Sequence, residues 1–202
     1  LNIQPATLLV VSLCGYAAGA AGGLLFMRRE KWAAAFSFGA AALSGLSGLL
    51  AALLFLGSGA SAPSWQGELL PTLIPYIKFS VRLDGLGAFF LMVASLLGCA
   101  VSIYSLDYAK GFFGRKNVGV FGAFFNALLL VTTLTFVANT IWLFLIAWEL
   151  MALTAYCLVS FEHEQPETRQ AGVLFFIMSH IDTGFIILGF LLLFQVSGDF
   201  SF

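Results

Sequence analysis

Residues 139–161 read NTIWLFLIAWELMALTAYCLVSF. Between Ile141 and Val159 there is one charged side chain, Glu149. A helix that crosses a bilayer needs roughly 20 mostly apolar residues, and this run has that length. A carboxylate at the centre of such a helix costs about 3 kcal/mol or more, so it marks a functional position by default. On a helix its neighbours three and four residues away are Leu145, Ile146, Ala152 and Leu153. None of them can neutralise it. Either a partner comes from another helix, or the carboxyl stays protonated.

The rest of the chain has the same character. Of its 202 residues, 60% are hydrophobic and 9% are charged, with mean hydropathy +0.99. A soluble domain carries about a quarter charged residues, so the composition specifies an all-α, polytopic transmembrane bundle. The net charge of −1 says nothing about partners, and nothing points to nucleic acid. Cys14, Cys99 and Cys157 each stand alone in apolar runs, read as small buried side chains, without metal-binding spacing.

Six runs qualify as spans, at about 6–27, 32–57, 84–106, 118–138, 140–160 and 171–195, within a single transmembrane domain over 1–202. The first run is long and has no basic region before it, which favours a first spanning helix over a cleaved signal. The chain starts at Leu1 and ends in GDFSF, and is expected to be a piece of a longer protein. The first two runs are rich in Gly, Ala and Ser, as in GYAAGAAGGLL (15–25) and FGAAALSGLSGLLAAL (38–53). Small residues let helix backbones approach closely in a bilayer.

Arg28, Arg29, Lys31, Lys110, Arg115, Lys116 and Arg169 fall on one side of the membrane by this count, and Lys78 and Arg82 on the other. The positive-inside rule then puts the first group in the cytoplasm and the N-terminus outside. The connection 58–83 is the one sizeable extramembrane segment. It opens irregularly and is proline-rich, with Pro63, Pro71 and Pro75. KFSVRLD (78–84) then alternates apolar and polar residues, which predicts a short strand within a hairpin.

A second acid, Asp182, lies near the middle of the sixth run in FFIMSHIDTGFII. His180 is two residues away, so the two side chains point to nearly opposite faces and form no local ion pair. Ser179 shares the face of Asp182, and Thr183 that of His180. Histidine changes charge near neutral pH, and chains of Asp, Glu and His relay protons in membranes. The alternative for His180 is a neutral ring bonded to a hydroxyl or carbonyl. In the fourth run Asn126 and Thr133 share a face. With Ser179 and Thr183 they are candidates for a polar path, although bonding between helices is the commoner use of such groups. Asp107 beside Lys110 reads as a surface ion pair. No catalytic, cofactor-binding or metal-ligating residue is assigned, since phosphate loops, dinucleotide fingerprints and nucleophile elbows are absent.

FSVRLDGLGAFFLMV (79–93), TLTFVANTIWLFLIAWELMALTAYCLV (133–159) and RQAGVLFFIMSHIDTGFIILGF (169–190) together resemble the antiporter-like membrane subunits. These comprise the large membrane subunits of complex I, the multisubunit Na+/H+ antiporters and the group 4 hydrogenases. FEHEQPETRQAG (161–172) and MSHIDTGF (178–185) are most similar to the hydrogenase-4 and formate hydrogenlyase branch. The resemblance implies a complete subunit of about fourteen helices containing two inverted five-helix repeats, with this chain as its N-terminal part. It implies that Glu149 is the acid of the family's WE motif, paired with a lysine on a seventh, broken helix beyond Phe202. It also implies that Asp182 corresponds to an acid on the sixth helix of some members. The expected role is a non-catalytic, proton-translocating subunit of a respiratory or hydrogenase complex in a bacterial or archaeal inner membrane. Its expected partners are other membrane subunits, a peripheral redox arm and the lipid bilayer. The alternatives are Na+/H+ exchange, and a membrane anchor for a redox complex without ion flux of its own.

Overall fold

The computed structural model describes residues 4–58, 65–70 and 79–198. Six long helices account for most of them: α1 (Pro5–Leu25), α2 (Glu30–Gly57), α3 (Gly85–Tyr108), α4 (Val118–Val137), α5 (Ile141–Val159) and α6 (Pro166–Ser197). All six are long and apolar enough to cross a membrane, so the chain is an all-helical, multi-pass membrane bundle. Strands β1 (Trp65–Leu70) and β2 (Phe79–Leu83) pair antiparallel, with Trp65 opposite Leu83. The stretch 59–64, Pro71, Pro75 and Lys78 lie outside the described residues.

Helix α1 packs between α2 and α4, and α3 lies on α2. Small residues make these approaches possible. A methyl group added at Gly119 of α4 would collide with the Gly23 carbonyl oxygen and come within 2.7 Å of Met27 Cα. One added at Gly45 of α2 would stand 3.1 Å from Cys99 N on α3. Serines bond across the seams. Ser12 Oγ donates to the Ser44 carbonyl at 2.8 Å, and Ser47 Oγ donates to the Leu8 carbonyl at 2.9 Å. In a bilayer, close van der Waals contact and hydrogen bonds of this kind replace the hydrophobic drive between helices.

Helices α5 and α6 continue from this core as a chain of neighbours, α4 to α5 to α6. Helix α6 has only Gly172 and Thr183 buried. It begins at Pro166, earlier than hydropathy alone suggests, because its first turn is polar. Pro166 there has a favourable backbone angle, and Glu167 meets the positive end of the helix dipole. Cys14 faces outward, and Cys99 and Cys157 are half-buried. The expectation of three buried cysteines therefore fails. On a bundle bathed in lipid, an outward position is itself apolar.

The hairpin fixes the depth of α5. Val81 and Leu83 are buried among Leu9, Phe55, Leu91 and Val137 at one end of the bundle. Asn139 N donates to the Ser80 carbonyl at 2.9 Å, and Val81 bridges Ala138. The α4–α5 turn is thereby held on the hairpin, and the Thr140 hydroxyl caps α5 by accepting from Leu143 N at 3.4 Å. Nine residues on, at 1.5 Å of rise each, Glu149 sits about 13 Å into the helix.

The opposite end collects the basic residues. Tyr108, Phe112, Phe121 and Phe161 form an aromatic cluster there, with Phe121 and Phe161 4.9 Å apart between ring centres. Lys116 Nζ donates to Glu164 Oε2 at 2.5 Å and to the Phe161 carbonyl at 2.8 Å, tying the α3–α4 connection to the α5–α6 connection. Asp107 and Lys110 pair at 2.7 Å. The bond from Lys116 holds the Glu164 carboxyl below the ordinary value of 4.5. A depressed folded-state value stabilises the fold above the unfolded value, and that stabilisation disappears as pH falls through the depressed one. Glu164→Gln should therefore lower the thermal midpoint of the full-length protein at pH 7. The gap from wild type should close as pH falls below 4.5. A gap of constant size across that range would contradict this.

Candidate functional site: an acid and a histidine at the α5–α6 seam

The seam between α5 and α6 has a regular stripe. At about 100° per residue, Gly172, Phe176, Thr183 and Phe190 fall along one side of α6. Gly172 lies against Ser160 and Tyr156, Phe176 packs on Tyr156 at 5.1 Å, and Phe190 meets Phe144 at 5.5 Å. Thr183 is buried in the stripe and donates to the Ser179 carbonyl at 3.0 Å. His180 stands on one flank of the stripe and Asp182 on the other. The separation expected from their spacing thus places them on the two rims of a single seam.

On the first rim, His180 Nε2 is 3.5 Å from Glu149 Oε2. Both side chains are partly open, at 45% and 38% exposure. The partner that Glu149 cannot find on its own helix is on the next one. His180 Nδ1 is 2.9 Å from the Phe176 carbonyl oxygen. A carbonyl only accepts, so Nδ1 carries a proton. The ring is further held by Phe176, whose centre lies 4.1 Å away. Nε2 is then the nitrogen left to face the carboxyl. A lone pair on Nε2 opposite a bare carboxylate would repel it. The pair is attractive when one proton is present, either on the carboxyl or on Nε2. The distance of 3.5 Å is longer than a formed hydrogen bond of 2.7–3.2 Å, so a small rotation or one water completes the contact.

On the second rim, Asp182 and Ser179 open into a cavity of about 330 Å³ bounded by Trp148, Met151, Ala155 and Phe175. Among the described residues Asp182 has no ion-pair partner. Asn126 and Thr133 join neither rim. Asn126 is fully buried and donates from Nδ2 to the Ser37 and Gly122 carbonyls, both at 2.9 Å. It also abuts Gly19, and so sits where α1, α2 and α4 meet. Thr133 is buried one heptad further along the same face of α4. Asn126→Ala is expected to destabilise the bundle by about 1 kcal/mol and to leave ion flux per assembled complex unchanged. Thermal unfolding and flux measured on one preparation check both halves.

Sequence reading passed over the contact between Glu149 and His180, and the aromatic column Tyr156–Phe176–His180 that positions it. A signal was present. The midpoint of 149 and 180 is 164.5, inside the short turn that precedes Pro166. Two antiparallel helices joined at that turn bring these residues to one depth.

In a multi-pass bundle, an acid and a histidine facing each other at mid-helix, with a further acid on the opposite rim, mark candidate functional positions, because ionisable groups at that depth are costly. Residues 138–202 match the family model described as NADH:quinone oxidoreductase/Mrp antiporter, TM. The chain is 30% identical over 127 residues to hydrogenase-4 component B of Escherichia coli (strain K12), covering 63% of this chain and 19% of that protein. It is 32% identical over 131 residues to an uncharacterized protein of Mycobacterium tuberculosis (strain CDC 1551 / Oshkosh), covering 64% of this chain and 20% of the relative. The membrane-bound sulfane sulfur reductase, an archaeal respiratory membrane complex, contains a chain of the same fold. The TM-score is 0.67 at 16% identity, over 98% of this chain and 38% of that one. Over its matched residues the chain is similar to antiporter-like membrane subunits, and it spans about a fifth of the length of the curated relatives it matches.

Proposed function

We propose that the chain is the part of a proton-translocating antiporter-like subunit in which Glu149 and His180 exchange one proton across the α5–α6 seam. The observation that carries this reading is the orientation of His180. Its Nδ1 bond to the Phe176 carbonyl leaves Nε2 towards Glu149 Oε2 at 3.5 Å. Neither residue has to move far for a proton on the carboxyl to pass to the ring, and the ring can release it elsewhere.

The lysine implied by the resemblance would act on this pair from a helix outside residues 1–202. A cation brought to about 4 Å from a carboxylate, at an effective dielectric of about 20, favours the charged form by about 4 kcal/mol. That is about a thousandfold in the ratio of charged to neutral carboxyl. Approach of the lysine would drive the proton from Glu149 to His180, and its withdrawal would draw a proton back. Redox chemistry in a partner subunit would move the lysine. Asp182, on the other rim, would be a separate station, since the buried stripe divides it from the pair. The membrane would be a bacterial or archaeal inner membrane. The Arg28, Lys116 and Arg169 end would face the cytoplasm, with a peripheral redox arm and other membrane subunits as partners.

The test is His180→Gln in the full-length protein within its complex, reconstituted in proteoliposomes. Glutamine keeps a polar group at this position but cannot take up and release a proton as imidazole does. Proton flux should fall by about tenfold or more, with assembly and redox turnover retained. Unchanged flux would refute the shared proton. A loss of flux seen only in sodium-containing medium would assign Na+/H+ exchange instead.

A further inference from the structure

A cavity of about 650 Å³ opens at the basic end of the bundle, between α4, α5 and the start of α6, away from the acid–histidine pair. Its rim carries Arg115, Lys116 and Arg169 against one carboxylate, Glu164. Lys116 is engaged by that carboxylate and lies 5.3 Å over the Phe161 ring. Arg115 and Arg169 have no ion-pair partner among the described residues. Two helices begin here, α4 at Val118 and α6 at Pro166, and the positive ends of their dipoles face this end of the bundle. The Gln165 side chain makes no capping bond, so the first turn of α6 keeps free N–H groups. The rim is therefore cationic beyond what its own carboxylate neutralises.

The walls are of the opposite kind. Val120, Phe124 and Cys157 line the cavity below the rim. Its α4 wall runs from Val120 to Phe124, about 6 Å along the spanning part of the helix. On the other side of Arg169 a second groove, of about 340 Å³, runs down α6 past Val173, Leu174 and Ile177. One guanidinium thus stands between two apolar grooves that descend into the membrane. A free phosphate would use the rim and none of the walls. An acidic peptide would place polar backbone against apolar side chains at membrane depth.

We propose that this end of the bundle is a binding site for an anionic diacyl phospholipid. The phosphate sits between Arg115 and Arg169, one acyl chain lies in the Val120–Phe124–Cys157 cavity, and the other lies in the α6 groove. Basic pockets between spanning helices are suited to such headgroups. The guanidinium fork matches a phosphate in a bidentate way that lysine does not.

The experiment uses the full-length protein in its complex. It is purified in detergent, stripped of lipid, and titrated with palmitoyl-oleoyl phosphatidylglycerol or phosphatidylcholine while bound lipid is counted by native mass spectrometry. Phosphatidylglycerol should bind at least about tenfold more tightly than phosphatidylcholine. Arg115→Gln with Arg169→Gln should abolish that preference, at about fivefold per charge. Arg115→Lys with Arg169→Lys should retain part of it and reports on folding. Arg28→Gln, on the same side but outside the cavity, should leave it intact. Equal binding of the two lipids, or equal loss in Arg28→Gln, would overturn the site. Displacement of phosphatidylglycerol by millimolar inorganic phosphate would assign a soluble anion. Displacement by an acidic peptide of a partner subunit would assign a protein contact. Either result rejects the lipid.

Discussion

Glu149→Gln is expected to reduce proton transport by about a hundredfold or more, with the complex still assembled and its redox turnover intact. The substitution preserves size and hydrogen bonding but removes the one carboxyl group on α5. With glutamine in place, His180 Nε2 meets an amide, and the lone proton that makes the pair attractive has no second home. Restoration by Glu149→Asp should be partial, because the shorter side chain widens a gap that is already 3.5 Å. Proton uptake by reconstituted vesicles, with quinol or hydrogen turnover followed in parallel, separates transport from assembly. A Glu149→Gln complex that pumps normally would leave the mid-helix acid without the role argued for it.

The second large effect is structural. Gly119→Ala is expected to destabilise the bundle by about 1–3 kcal/mol, and Gly119→Leu to prevent assembly. The added methyl meets the Gly23 carbonyl and Met27 Cα, which are backbone atoms that cannot rotate away. The contact is reciprocal, since a methyl at Gly23 would stand 2.7 Å from the Gly119 carbonyl. Gly39 is the control, because nothing lies within 4 Å of its missing side chain. Gly39→Ala should be neutral or slightly stabilising, by up to about 1 kcal/mol from helix propensity. Thermal unfolding of both variants in one detergent is the measurement. Equal effects at the two glycines would mean that the α1–α4 approach does not limit stability.

Much of this architecture could be read from the sequence because a bilayer imposes simple rules on it. Six apolar runs became six helices, and the period-two stretch at 79–83 became β2. Glu149 stood out because charge is rare at depth, and its own helix offered no partner. What was not legible depended on how helices meet. Asn126 and Thr133 read as candidates for a polar path, but Asn126 is turned to α1 and α2 and bonds there, and Thr133 is buried. Hydropathy is the same on either side of α4, and only packing chooses between them. His180 was visible as a titratable group, whereas its direction is set by Phe176 on its own helix and by the turn at 163–165. Strand β1 gave little signal, since WQGELL has no clear alternation. The hairpin that fixes the depth of α5 was therefore only half seen.

The central claim is that Glu149 and His180 act as one unit, and a double-mutant cycle on proton flux tests it most directly. Glu149→Gln, His180→Gln and the double variant would be reconstituted in their full-length complex and compared at one redox turnover rate. If the two residues share a proton, the double variant pumps no worse than Glu149→Gln alone, because removing either member already breaks the exchange. Losses that multiply across the two substitutions would mean that the residues contribute independently, and would contradict the shared proton.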